Sequence, residues 1–168
     1  MYLVSGDDEF LVGRAVAGVV RAASATDPDS SITELHAGDL LPDQFSEALS
    51  PSLFGGRRVV VVRGGQDAKK DLIAAMLAYA ADPDPDACLV VAHTGGAKGK
   101  ALADGLREAG ATVLPAARLT RHRERVDFVR DEIRRLGGKC DQDAAEALLA
   151  AVGSELRELA AACAQLIA

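Results

Sequence analysis

The sequence predicts an α/β fold: a parallel sheet of five strands with helices on its flanks, followed by a small all-helical unit. Three observations predict it. Short apolar runs rich in β-branched residues alternate with longer segments of helical period through residues 1–117. Those runs are continuously apolar, which suits strands covered on both faces. After Pro115 no such run occurs, and three helical stretches fill residues 118–168.

The first strand is expected at Tyr2–Ser5, the second, weaker one at Ile32–His36, and the strongest at Val59–Val62. Cys88–Ala92 and Ala111–Leu114 follow. Between them, Asp8–Ala23 carries Phe10, Leu11, Ala15, Val19 and Val20 at near-helical spacing behind an Asp-rich cap. Pro42–Leu49 is a short second helix with Pro in its first turn. Ala68–Ala80 and Lys98–Ala109 are the third and fourth, the latter stopped by Gly110. In the helical unit, Arg118–Leu136 ends at Gly137-Gly138. Asp141 caps the next helix to Val152, and Ser154 caps the last, from Glu155 onward. That last helix keeps Leu156, Leu159, Cys163, Leu166 and Ile167 in register to the final residue. A further segment is therefore expected beyond it.

Composition excludes several classes. The chain of 168 residues is 49% hydrophobic and 26% charged, as ordinary globular domains are. A net charge of -6 argues against a sequence-independent nucleic-acid binder, which needs a Lys/Arg surplus against phosphates. Cys88, Cys140 and Cys163 are odd in number and widely spaced, so neither a zinc site nor a disulfide framework is indicated. They read as small buried hydrophobes in a reducing cytoplasm. The start has no basic, apolar leader, and no apolar run nears the roughly 18 residues of a membrane helix.

The motifs of nucleotide chemistry fail one by one. A phosphate loop belongs between the first strand and first helix. That place holds Ser5-Gly6-Asp7-Asp8-Glu9-Phe10, whose three carboxylates repel a triphosphate. The third strand ends in Val62-Arg63-Gly64, without the acidic residue that holds magnesium. Arg63 also removes a phospho-receiver reading of the Asp7-Asp8-Glu9 cluster. Gly95-Gly96-Ala97-Lys98-Gly99-Lys100-Ala101 imitates a phosphate loop. It is one residue short, has Ala101 in place of Ser or Thr, and follows the fourth strand. An NTPase or kinase relative using this 95–100 loop is the alternative reading. His36, His93 and His122 show no ligand or triad spacing. His93 ends a strand at the carboxyl edge, where ligands bind in such sheets. No catalytic residue, cofactor or metal ligand is expected.

One motif survives. Leu49-Ser50-Pro51-Ser52-Leu53-Phe54-Gly55-Gly56-Arg57-Arg58 places two bulky apolar side chains on a connector between Pro and a Gly pair. Leu53 and Phe54 are either tucked beneath this loop or presented outward. Large side chains usually find cover, which favours the first. Presented outward, each contributes about 1.5–3 kcal/mol when buried in a partner's pocket.

The run Ser-Leu-Phe followed by Arg-Arg-Val-Val-Val-Val resembles the delta subunits of bacterial DNA polymerase III, a clamp-loader family. So do the opening Tyr-Leu-Val-Ser-Gly-Asp-Asp-Glu-Phe-Leu, the Lys-Gly-Lys at 98–100, and the late pattern Phe128-Val129, Leu136-Gly137-Gly138, Ala144-Ala145, Leu148 and Gly153. The resemblance covers essentially the whole chain. It implies an AAA+-like domain at 1–117 without a functional P-loop, a three-helix lid at 118–168, and a collar domain absent from this sequence. It implies a cytoplasmic replication protein without a nucleotide site of its own. Such a subunit binds the sliding clamp through Ser52, Leu53 and Phe54 and opens the ring. Other loader subunits, and primed DNA within the assembled loader, are the further partners implied. Arg157 resembles the lid arginine that meets γ-phosphate in active relatives, here a vestige. Lys98, Lys100, Arg121, Arg123 and Arg125 are read as a solvated charged face.

Overall fold

The computed structural model describes residues 1–51 and 56–168. The chain divides into two compact units, Met1–Arg118 and Leu119–Ala168. In the first, β1 (Tyr2–Ser5), β2 (Ser31–His36), β3 (Arg58–Arg63), β4 (Ala87–His93) and β5 (Thr112–Pro115) form one sheet. Its order is β2-β3-β4-β1-β5, and every pairing is parallel. Helices α1 (Glu9–Thr26), α2 (Pro42–Leu49), α3 (Lys70–Ala81) and α4 (Lys100–Glu108) connect the strands, with a short 3-10 turn at Gly65–Asp67.

The apolar runs form strands because each side chain has a helix-covered face to enter. Successive residues of a strand point to opposite faces. Val60, Val62, Leu89, Val91 and Leu3 meet Phe45, Leu72, Met76, Leu102 and Leu106 from α2, α3 and α4. Val59, Val61, Cys88, Val90 and Val4 meet Val16, Val19 and Ala23 from α1 on the other face. Phe45 is 1% exposed and meets Tyr79 edge-on, ring centroids 6.1 Å apart.

The outer strands depart from the expectation of cover on both faces. Ser31–Glu34 of β2 are exposed, Ile32 at 49%, and Val113 of β5 is 41% exposed. Both are edge strands, each with one neighbour. Edge strand β2 is held by charge as well as by its ladder. Arg63 donates from Nε and Nη2 to the two carboxylate oxygens of Glu34 at 3.0 and 3.1 Å.

Helix ends follow the local chemistry, with shifts of a few residues from the sequence reading. The Asp8 carboxylate accepts the Leu11 N–H at 3.0 Å and starts α1. α4 begins at Lys100, because Gly99 in the left-handed region (φ 67°) makes the turn before it.

In the second unit, α5 (His122–Arg135), α6 (Gln142–Val152) and α7 (Leu156–Ile167) pack pairwise. Val126, Val129, Ile133, Ala145, Leu149, Leu156, Leu159 and Cys163 are its buried apolar side chains, and Glu132 of α5 is buried as well. α5 starts four residues later than Arg118, where the Glu124 carboxylate accepts the Thr120 and Arg121 N–H groups at 3.0 and 2.9 Å. Asp141 caps α6 through the Ala144 N–H at 2.8 Å. The N-cap of α7 is Glu155, so Ser154 does not cap it. Cys88 and Cys163 are buried as expected. Cys140 is partly exposed and donates its thiol to the Asp141 carbonyl at 3.3 Å, which corrects the reading of three buried cysteines.

The Arg63 guanidinium holds the Glu34 carboxyl below its ordinary value near 4.5. A depressed acid stabilises the fold above its unfolded pKa, and that contribution is lost as pH falls through the folded pKa. Glu34→Gln is expected to cost about 0.5 kcal/mol at pH 6.5 in urea denaturation, since the pair is half exposed. The difference from wild type should shrink below pH 4.5, the ordinary value, and vanish in stronger acid.

Candidate functional site

Two edges of the sheet present themselves as sites. The carboxyl edge comes first, because the chain leaves β1 toward β2 on one side and leaves β4 toward β5 on the other. That reversal opens the crevice in which doubly wound sheets bind ligands. β1 and β4 lie side by side there, Ser5 opposite His93.

The protein fills this crevice itself. The Gly6 N–H donates to the His93 carbonyl at 2.9 Å, and the Asp8 N–H to the Ala116 carbonyl at 3.1 Å. The Leu11 N–H is taken by the Asp8 carboxylate, and the Arg118 N–H by Asp7 at 3.0 Å. That last bond holds the Asp7 carboxyl below its ordinary value. Three N–H groups of the turn, those of Gly6, Asp8 and Leu11, are thus already bonded within the chain. A Cβ at Gly6 would overlap the backbone of Ala116 and Ala117, so the segment after β5 runs directly across the turn. At the end of β3, Arg63 is occupied by Glu34.

His93 is 2% exposed. Its Nδ1 accepts the Gly95 N–H at 2.9 Å, which places the imidazole in the floor of the 94–99 loop. Lys98 pairs with Asp67 at 2.5 Å and holds that carboxyl below its ordinary value, and Lys100 lies 4.0 Å from Asp104. Both lysines of the phosphate-loop mimic therefore face carboxylates. His36 is exposed on β2, and His122 opens α5 in the other unit. Among the described residues no three His, Cys, Asp or Glu side chains gather as a metal site. In the helical unit, Arg157 is exposed in the first turn of α7.

The amino edge carries the other candidate. Ser52, Leu53 and Phe54 lie outside the described residues, as does Gly55. Their flanks are held firmly. On the α2 side, Leu49 is buried and the Ser50 hydroxyl donates to the Ser46 carbonyl at 2.9 Å. On the β3 side, the Arg57 N–H donates to Asp27 at 2.6 Å and the Arg57 carbonyl accepts the Ser31 N–H at 2.9 Å. Gly56 has φ 83° and approaches the Asp29 carbonyl so closely that a Cβ would stand 2.5 Å from it. Arg58 is 6% exposed and its Nη2 meets Asp84 at 2.5 Å. Sequence reasoning gave Arg57 and Arg58 no role of their own. A charged residue opening a strand that is otherwise all valine is the signal that could have marked Arg58.

This architecture recurs among solved structures. The chain superposes on the DNA clamp loader delta protein of Bacillus subtilis with a TM-score of 0.82, at 20% identity, over 99% of its length. It shares the clamp-loader delta fold. The RuvB Holliday junction branch migration motor of Thermotoga maritima matches at TM-score 0.57 and 14% identity over 96% of the chain. A DNA polymerase III gamma subunit-related protein of the same organism matches at 0.51 and 14% over 98%. The sheet with its flanking helices is thus of AAA+ type, as expected. The chain spans about half the length of these structures, 52% of each. No family model matches it, and no curated protein does. No helix among the described residues is long and apolar enough to cross a membrane.

Gly6→Ala is expected to destabilise the first unit by about 1–3 kcal/mol in chemical denaturation, the usual cost of forced overpacking. In equilibrium titration with magnesium and labelled ATP, the wild-type chain should show no saturable micromolar binding. Lys100→Ala should change nothing. Saturable binding lost in that variant would restore the 95–100 loop as a nucleotide site.

Proposed function

We propose that this chain is part of a clamp-loader delta-type subunit of bacterial DNA polymerase III. It binds the sliding clamp and opens the ring for loading onto DNA during replication, with no catalysis of its own. The observation that carries this reading is the agreement in fold with a clamp loader delta protein over 99% of the chain. A nucleotide crevice closed by the chain's own hydrogen bonds supports a role in binding rather than hydrolysis.

In this reading Ser52, Leu53 and Phe54 are the clamp-binding residues, with the two apolar side chains entering a hydrophobic pocket of the clamp. The stems on either side of these residues are placed favourably for such a role. Because all five strands are parallel, the connector before β3 opens from the amino edge, on the opposite side of the sheet from the filled crevice. Pro51 and Gly56 are exposed, and the backbone around both is anchored by hydrogen bonds. A short loop between fixed stems costs a partner less ordering entropy than a free one. The three-helix unit takes the place of the lid. Further loader subunits, and primed DNA within the assembled loader, complete the partners of a cytoplasmic machine.

The test is capture of the cognate sliding clamp by wild type and by Leu53→Ala/Phe54→Ala. The double variant is expected to lose at least tenfold in affinity, since hot-spot side chains contribute about 2 kcal/mol or more each. Its urea midpoint should match wild type. A large loss of folding stability with unchanged clamp affinity would instead make the pair part of the interior and end the proposal.

A further inference from the structure

β2 offers an unguarded strand edge. It has six residues and a single neighbour, β3. The Ser31 and Ala37 N–H groups donate to the Arg57 and Arg63 carbonyls at 2.9 Å each. By alternation along the ladder, the N–H and C=O groups of Ile32 and Glu34 point away from β3, and they have no partner among the described residues. Ile32 stands level with Val59, on the side of the sheet that α1 covers further in, and is itself 49% exposed. Sheets ordinarily guard such edges by shortness, proline, lysine or a covering element. β5, the other edge strand, has four residues and ends in Pro115. β2 contains neither proline nor lysine, and Ser31–Glu34 are exposed. Its one carboxylate, on Glu34, is drawn back onto Arg63 of β3.

The charge around this edge says what kind of strand fits it. From Ala22 to Gly56 the chain has six Asp and Glu residues and no Lys or Arg. The rest of the chain is balanced, so the net charge of -6 belongs to this segment. Asp29 and Asp39 flank β2 and are exposed, and neither carboxylate has a partner among the described residues. The arginines at the ends of β3 do not supply one. Arg57 turns its Nη2 to the Pro85 carbonyl at 3.4 Å, Arg58 meets Asp84, and Arg63 is held by Glu34. A second copy of this edge would set the same carboxylates against one another, and a nucleic acid would add phosphates to them. A basic peptide in extended form brings main-chain groups to Ile32 and Glu34 and cations to Asp29 and Asp39.

We propose that the free edge of β2 takes a basic, extended segment of a partner protein as a sixth strand of the sheet. In strand addition of this kind, main-chain hydrogen bonds give affinity and alternate side chains give specificity. Here an apolar side chain of the incoming strand covers Ile32, and its flanking cations meet Asp29 and Asp39. The site uses described residues alone, and it does not depend on the clamp reading of residues 52–54.

The experiment titrates a short peptide of alternating lysine and valine into the whole chain while the backbone amide resonances are followed. Two control peptides are used, one with every main-chain amide methylated and one of alternating glutamate and valine. The lysine peptide is expected to saturate, to move the Ile32 and Glu34 amide signals and to slow their hydrogen exchange. Both controls should bind about tenfold more weakly or not at all. Ile32→Pro removes one outward N–H and leaves the ladder to β3 intact. It should weaken the lysine peptide about three- to tenfold, the worth of one hydrogen bond. Asp29→Asn/Asp39→Asn should weaken it about threefold, an effect that shrinks in high salt. No saturable binding, or binding that leaves the Ile32 and Glu34 signals unmoved, overturns the proposal. Equal binding of the methylated peptide reduces the contact to charge alone and overturns strand addition. Equal binding of the glutamate peptide overturns the choice of a basic partner, and self-association of the chain through Ile32 overturns it in favour of a second copy. Should Ile32→Pro fold poorly, the wild-type amide signals and the methylated peptide decide.

Discussion

The structure of the first unit depends on two central strands being apolar along their whole length. β3 and β4 send alternate side chains into two separate cores, one roofed by α2, α3 and α4 and the other by α1. Every residue of β4 is buried, and so are all but the last of β3. Because one residue's shift would exchange the two faces, a strand that is valine on both sides is indifferent to which face each residue takes. Register must then come from elsewhere. Arg58 supplies it at the amino end, where its guanidinium meets Asp84 and its N–H donates to the Asp86 carbonyl, just before β4 begins. Arg63 supplies it at the carboxyl end by gripping Glu34 across to β2. The two arginines that bracket four valines pin the strand between its neighbours.

The same sheet makes its two edges unlike each other. At the carboxyl edge, the turn after β1 is bound to the ends of β4 and β5, and the residues following β5 cross over it. Anion binding at a helix N-terminus requires free N–H groups and an unfilled positive end. Here Asp8 takes the first, Asp7 and Glu9 add carboxylates around it, and Gly6 has room for no side chain. Phosphate binding at this turn is thus opposed by backbone hydrogen bonds as well as by carboxylates.

Much of this was legible in the sequence. Unbroken β-branched runs identified β1, β3 and β4, and the Asp caps located α1 and α6. The carboxylates at 7–9 and Arg63 stand at the ends of β1 and β3, where the sequence pattern put them. The exposure of β2 and β5 was not legible, because strand order decides which runs lie at an edge, and order depends on long-range pairing. Cys140 escaped for a similar reason. Its neighbours Gly138 and Asp141 form the link between α5 and α6, and local composition does not report burial there. The start of α5 moved because Glu124 reaches back to two N–H groups, a bond that helical periodicity does not register. Ser52, Leu53 and Phe54 stand on the sequence pattern and the resemblance alone.

Both edges combine bonded backbone with buried side-chain nitrogens that lack a partner among the described residues: His93 Nε2 at the carboxyl edge, and the Nε atoms of Arg57 and Arg58 at the amino edge. At the turn after β1 the N–H groups of Gly6, Asp8 and Leu11 are bonded within the chain. At the amino edge the start of β3 is held through Asp27, Asp84 and Asp86. Fixed stems at the amino edge spare any partner the cost of ordering them, while the bonded turn at the carboxyl edge offers a ligand fewer free donors.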